Sequence, residues 1–301
     1  MRSSDITPDF LLFAQHGWAD NHKSLSKLTQ EVVNDNTLLI APSLGIIKTF
    51  IRILPLVKAV EQIADRTISQ YPETPIKIIG HSMGGLIWLE VLQRNPQWWN
   101  KVHSLVLIGS PVGGSDVARL IDPLGIGIGM ARDLGKNRRP LAEQIARNMP
   151  TLTIASNLDS GTDGLVNLET TKFAYCNFVC LSGIAHAALR YHPRVVPVIQ
   201  DFWANPTLGV TPESNLVTKL IDRLRSIPGI TDGHWRDFPR SQVCINLPEG
   251  LSIRTWKNTL GVNHVFVADK NEKCLYAGYV GWLHASALRQ TLTEIKRENF
   301  K

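Results

Sequence analysis

The chain is poor in cysteine. It has no long hydrophobic run, no internal repeat and no stripe of basic and aromatic residues. Its 301 residues include four cysteines, Cys176, Cys180, Cys244 and Cys274. Cys176 and Cys180 fall in one predicted strand, where four residues span roughly 13 Å. The usual Cα separation in a disulfide is only about 4.4–6.8 Å. Reduced, structural thiols are therefore expected, as in a cytoplasmic protein. No apolar stretch is long enough to span a bilayer. The opening "MRSSDITPDFLLF" lacks the apolar core and small-residue cleavage site of a secretory signal. A net charge of +6, with basic residues scattered apart from Lys136, Arg138 and Arg139, argues against nucleic-acid binding. It leaves room for peripheral contact with an acidic membrane surface.

What is present is ordinary globular material, 44% hydrophobic and 19% charged. Short apolar runs alternate with helical periodicity over the first two thirds. Predicted strands are Phe10–Gln15, Leu38–Ala41, Ile76–Gly80, Ser104–Gly109, Thr151–Ala155 and Phe173–Leu181. Predicted helices lie near Lys23–Val33, Leu54–Gln70, Met83–Arg94 and Arg194–Ala204. The alternation predicts an α/β fold: a doubly wound, mostly parallel sheet of about six strands, covered on both faces. Functional groups should sit at the carboxyl ends of its strands. The stretch from Pro111 to Pro150 breaks the rhythm with "IDPLGIGIGMARDLG". It is read as a mobile apolar lid, the alternative being a buried helical connection; its spacing does not fit a nucleotide-binding glycine loop.

The segment "WANPTLGVTPESN" at 203–215 reads as a linker. Beyond it the order changes. A helix near Leu216–Ser226 precedes strands at Gln242–Asn246, Ser252–Lys257, His264–Ala268 and Cys274–Val280, with "ADKNEK" as a hairpin turn. A helix near Leu283–Arg297 follows. The division expected is a catalytic domain over 1–206 and a small α+β domain over 207–301. The second unit is read either as a structural appendage or as a module that binds a protein partner.

The most informative stretch is "IIGHSMGG" at 78–85. An apolar strand ends, one serine stands between glycines, and a helix begins. So sharp a turn forces φ > 0 on Ser82 and requires small neighbours, here Gly80, Gly84 and Gly85. A serine hydroxyl is a weak nucleophile that needs a base, an orienting acid and amide donors for the oxyanion. A G-x-S-x-G turn between strand and helix supplies the exposed position.

With these residues the chain resembles the α/β-hydrolases, in the lipase and esterase group, over about residues 8–204. "GHSMGG" is similar to that group's nucleophile elbow, with Gly80 and Gly84 as its structural glycines. "HGW" at 16–18 resembles its oxyanion-hole loop, and "GSPVGGS" at 109–115 resembles a segment common after the next strand. The two opening strands of many members are missing, which implies a reduced sheet. The resemblance implies the order serine, acid, histidine. "SNLDSGTDGLV" offers Asp159 and Asp163, and Asp163-Gly-Leu-Val matches the family pattern better. "SGIAHAALRYHP" offers His186 and His192, of which His186 comes first after the strand. His81 is the usual neighbour of the nucleophile, and His16 is expected to support its loop. The backbone amides of Trp18 and Met83 are the implied oxyanion donors.

The implied activity is hydrolysis of a small-molecule or lipid carboxylic ester by Ser82, His186 and Asp163 through an acyl-enzyme. No cofactor is implied, and the histidines form no metal pattern. An acyltransferase or thioesterase would use the same groups. A non-catalytic binding scaffold is the alternative of another class.

Overall fold

The computed structural model describes residues 7–34, 36–45, 52–114, 130–158, 161–211 and 213–298. Six strands, β1 (Phe10–Gln15), β2 (Thr37–Ile40), β3 (Ile76–His81), β4 (Val102–Ile108), β5 (Thr151–Asn157) and β6 (Asn177–Ser182), form one sheet in the order β2-β1-β3-β4-β5-β6. Every pair in it is parallel. The central strands are buried along nearly their whole length, as a sheet covered on both faces requires.

The covering helices carry their apolar residues at helical spacing. In α2 (Ile53–Gln70) the buried stripe is Ile53, Leu56, Val57, Val60, Ala64 and Ile68. The helix α3 (Met83–Arg94) is buried almost all round, from Met83 through Leu92, so it is a core helix rather than an amphipathic one. These two cover one face of the sheet. On the other face α1 (Ser26–Val32) and the helix Val195–Ala204 pack over Leu12, Ile79, Val106 and Ile154. Full burial of one such aliphatic side chain contributes about 1.5–3 kcal/mol.

Residues 207–298 build a separate antiparallel sheet in the order β7-β11-β10-β9-β8. Its strands are β7 (Ile230–Asp232), β8 (Gln242–Asn246), β9 (Ser252–Lys257), β10 (Asn263–Ala268) and β11 (Cys274–Val280). The helices Leu216–Arg225 and Ala285–Glu298 supply Leu220, Leu224, Leu288, Leu292 and Ile295 to its core. The first of these helices opens on a capping box, Asn215 with Thr218, which satisfies end amides that would otherwise lack acceptors.

The two sheets are joined by a buried ionic cluster. Arg139 Nη2 lies 2.6 Å from Asp232 Oδ2, and these side chains are 4% and 1% exposed. Arg225 and the Tyr276 hydroxyl complete the shell of Asp232 at 3.1 Å each. Burial, with Asp232 alongside, holds the Tyr276 hydroxyl well above its usual range.

One strand boundary differs from the sequence expectation, and one strand is additional to it. The sixth strand starts at Asn177, not Phe173, because Tyr175 adopts φ 66°, a left-handed turn that no strand tolerates. Cys176 therefore precedes the strand, although all four cysteines are free. The strand β7 was not anticipated: three residues are too few to display a period. The lid reading of 111–150 rests on its glycine-rich centre, and residues 115–129 lie outside those described. The described part contains two short helices, Met130–Gly135 and Arg139–Ala146. Among the described residues no helix is long and apolar enough to cross a membrane.

Candidate active site

Ser82 stands between β3 and α3 with φ 55° and ψ −124°. Such a conformation costs a non-glycine residue of order 1–3 kcal/mol and persists only where the surroundings enforce it. The enforcing contacts are visible. The Ser82 amide donates to Ile108 O at 2.8 Å. A Cβ on Gly84 would lie 2.2 Å from Gln15 O, and one on Gly80 would lie 2.5 Å from Gly85 N. Only hydrogen at these positions lets the end of β1 and the first turn of α3 close around the serine. Met83, the first residue of α3, is fully buried. Its amide lies at the helix N-terminus, where the backbone dipole favours negative charge.

The loop after β1 lies directly against the serine. A Cβ on Gly17 would stand 2.9 Å from Ser82 Cβ and 3.4 Å from Ser82 Oγ. His16 holds this loop. The Leu44 amide donates to His16 Nε2 at 3.3 Å, so Nδ1 carries the proton and donates to Gly17 O at 3.0 Å. Burial pushes the His16 imidazole below its ordinary range. Trp18 is half-buried, and its ring packs on the core cluster beside α3.

His186 and Asp163 meet at the carboxyl end of the sheet. His186 Nδ1 lies 2.6 Å from Asp163 Oδ2, and both side chains are buried. The second oxygen, Oδ1, accepts from the amides of Leu165 at 3.1 Å and Val166 at 2.7 Å. The Asp163 carbonyl accepts from the His186 amide at 2.8 Å. This carboxylate is therefore fixed from three sides, and the imidazole Nδ1–H has a defined acceptor. The ring edge lies over Gly109, where a Cβ would stand 3.1 Å from His186 Cε1.

His192 is not drawn in. It is half-buried, and its Nδ1 accepts from the Arg194 amide ahead of the helix Val195–Ala204. Asp159 lies outside the described residues. Among those described, no cluster of His, Cys, Asp and Glu has metal-binding geometry.

Two further residues contribute: His81, read from the sequence only as the neighbour of the nucleophile, and Arg190, which the sequence did not single out. His81 is buried and donates from Nε2 to His186 O at 3.2 Å. Burial, then the neighbouring His186, holds His81 well below its ordinary range, so it is neutral. Arg190 pairs with Asp20 at 2.7 Å and ties the Gly17–Trp18 loop to the segment after His186. A carboxylate four residues past His16 and an arginine four past His186 were visible in the chain, but nothing local pairs them.

The comparisons agree with this architecture. A family model described as serine aminopeptidase, S33, matches residues 52–161. No curated protein matches the chain in sequence. Among solved structures, the propeptide form of lipase BlEst2 from Bacillus licheniformis superposes with a TM-score of 0.53 at 12% identity. That match covers 92% of this chain and 69% of the other. Est1E from Butyrivibrio proteoclasticus, solved with ferulic acid bound, gives 0.52 at 15% identity, covering 68% of this chain and 92% of the other. Its six-stranded parallel sheet and strand–serine–helix elbow give the chain the α/β-hydrolase fold.

Proposed function

We propose that the protein is a serine hydrolase that cleaves carboxylic esters of lipidic or otherwise apolar acids. The observation that carries this reading is the His186–Asp163 contact of 2.6 Å beside a strained elbow serine. With Nδ1–H committed to Asp163, the Nε2 lone pair is left to take the proton of Ser82 Oγ. The serine oxygen attacks the ester carbonyl. The tetrahedral oxyanion is received by the amides of Met83 and Trp18, and His186 returns the proton to the departing alcohol. Water activated by His186 then releases the acid and regenerates Ser82. The amides of Leu165 and Val166 hold the Asp163 side chain in place against His186 throughout. The division of labour proposed with it is catalysis by residues 1–206 and an accessory α+β unit over 207–301.

An activity-based fluorophosphonate tests the nucleophile, and a panel of p-nitrophenyl esters of graded acyl length tests the substrate class. Ser82→Ala should abolish both labelling and turnover while leaving the circular dichroism spectrum unchanged. Asp163→Asn should lower kcat by about 10⁴, because the wrong imidazole tautomer is then favoured, whereas His192→Ala should stay near wild type. Labelling without ester turnover, with acyl transfer to added alcohol or thiol, would favour an acyltransferase. A folded wild type that neither labels nor turns over would identify a binding scaffold.

A further inference from the structure

The sheet of residues 230–280 carries a surface feature that the hydrolytic chemistry does not use. Two adjoining depressions, of about 490 and 560 Å³, run along one side of β9 and β10 toward the start of the helix Ala285–Glu298. They share Lys257, Asn263 and Arg289. The first also takes in Arg240 and Trp256. Among the described residues no carboxylate lines either depression. Arg240 is paired with Asp237 at 3.2 Å. Lys257 and Arg289 form no ion pair among the described residues, so two uncompensated cations face the cleft.

The rim of the second depression is apolar and projects outward. Leu260 is 58% exposed, Trp282 63% and Leu283 86%. Leu260 comes from the turn between β9 and β10, and Trp282 and Leu283 from the single-turn helix Trp282–His284, and the two segments are hydrogen-bonded into one tip. Trp282 Nε1 donates to Leu260 O at 2.8 Å. Gly261, at φ +76°, lies flush against the indole, with a Cβ there 3.3 Å from Nε1. The indole N–H is thus already satisfied inside the tip, and the ring is free to enter an apolar medium without stranding a donor.

We infer that this tip docks the protein on anionic bilayers, with Trp282, Leu283 and Leu260 entering the interface and Lys257 and Arg289 binding the phosphate of an acidic headgroup. Three arguments select a bilayer over a protein partner. The apolar side chains project from the surface instead of lining a groove, which suits insertion into a fluid interface. Tryptophan is the side chain most enriched at the boundary between headgroup and hydrocarbon. Cations without carboxylates behind an apolar tip match the charge of an acidic leaflet, which attracts basic residues by about 1 kcal/mol each. The inference does not depend on the reaction class, since binding to lipid can be measured without turnover.

The test is flotation of the full chain with vesicles of phosphatidylcholine alone and of phosphatidylcholine mixed with phosphatidylglycerol. Wild type should bind the mixed vesicles and bind weakly to the neutral ones, and added salt should weaken the binding. Lys257→Gln with Arg289→Gln should lower the partition coefficient about thirtyfold, the equivalent of two charges at about 1 kcal/mol each. Trp282→Ser with Leu283→Ser should lower it at least tenfold. All four side chains are at the surface or the cleft wall, and unchanged thermal unfolding would show that the variants fold. Wild type that fails to bind mixed vesicles would overturn the inference. So would equal binding by wild type and the Trp282/Leu283 variant. A third overturning result is loss of binding in the charge variant alone together with competition by free inorganic phosphate, which would identify a soluble-anion site.

Discussion

Arg190 Nη1 lies 2.7 Å from Asp20 Oδ2, although 170 residues separate them in the chain. The Asp20 side chain is 8% exposed and Arg190 26%, so solvent screens the pair only in part. Asp20 follows the loop that packs on Ser82, and Arg190 follows the segment that carries His186. The pair therefore joins the loop against Ser82 to the segment that carries His186. Asp20→Asn and Arg190→Met should each lower kcat on a short ester while shifting Tm by no more than a few degrees. A double-mutant cycle on kcat should show coupling of about 0.5–3 kcal/mol. Strict additivity would make the contact dispensable for catalysis.

Gly84 offers a sharper steric test. A Cβ there would meet two carbonyl oxygens of the main chain, Gln15 O at 2.2 Å and His16 O at 2.7 Å, and neither can rotate away. Gly84→Ala should cost roughly 3 kcal/mol or more, at or beyond the upper end of ordinary overpacking. Gly281→Ala is the control, since nothing lies within 4 Å of its added methyl and its φ is −69°. Urea unfolding of the two variants should separate them clearly. Equal midpoints would mean that the end of β1 can retreat from α3.

His81 predicts an acid limb of stability. Its folded-state pKa is pushed well below the ordinary 6.5 by burial and by the adjacent His186. In the unfolded chain the same imidazole titrates near 6.5. The unfolded state therefore binds more protons as the pH falls below that value, and folding stability drops with it. The stabilisation is complete above about pH 7 and is lost progressively on acidification. Thermal unfolding between pH 8 and pH 5 should show this slope, and His81→Gln should flatten it. A slope unchanged in a folded variant would assign the effect to His16 and His103, whose pKa values are also lowered by burial.

The cluster around Asp232 predicts an order of severity. Asp232 faces Arg139, Arg225 and Tyr276. Asp232→Ala would leave two guanidinium groups without their carboxylate, one of them almost fully buried, and should cost about 3–5 kcal/mol. Arg139→Met leaves Asp232 with Arg225 and Tyr276 and should cost less. Because Arg139 belongs to the chain before 206 and Asp232 to the chain after it, a protein truncated at 206 should unfold at a lower temperature than the full chain. Denaturant midpoints of the three proteins measure the order directly. Equal stability of Asp232→Ala and wild type would show that the cluster does not hold the sheets together.

Much of this architecture could be read in the chain because its signals are local. The apolar runs of β1, β3, β4 and β5 and the stripe Ile53, Leu56, Val57, Val60, Ala64 in α2 are periodic within a few residues. Gly80, Ser82 and Gly84 carry their own geometry, since a positive φ and a close backbone approach restrict side-chain size at those very positions. Asp163 ahead of Gly-Leu-Val and His186 after a strand were legible through their order and resemblance. Tertiary structure alone decided the rest. The turn at Tyr175, the three-residue strand Ile230–Asp232, and the contacts Asp20–Arg190, His81–His186 and Arg139–Asp232 each depend on surfaces distant in sequence or on elements too short to show a period. A buried ion pair leaves no pattern in the chain, because its two halves are stabilised only after packing has removed water from both. The same holds for the tip at Leu260 and Trp282: neither residue belongs to a local pattern, and only the fold sets them together beside Lys257 and Arg289.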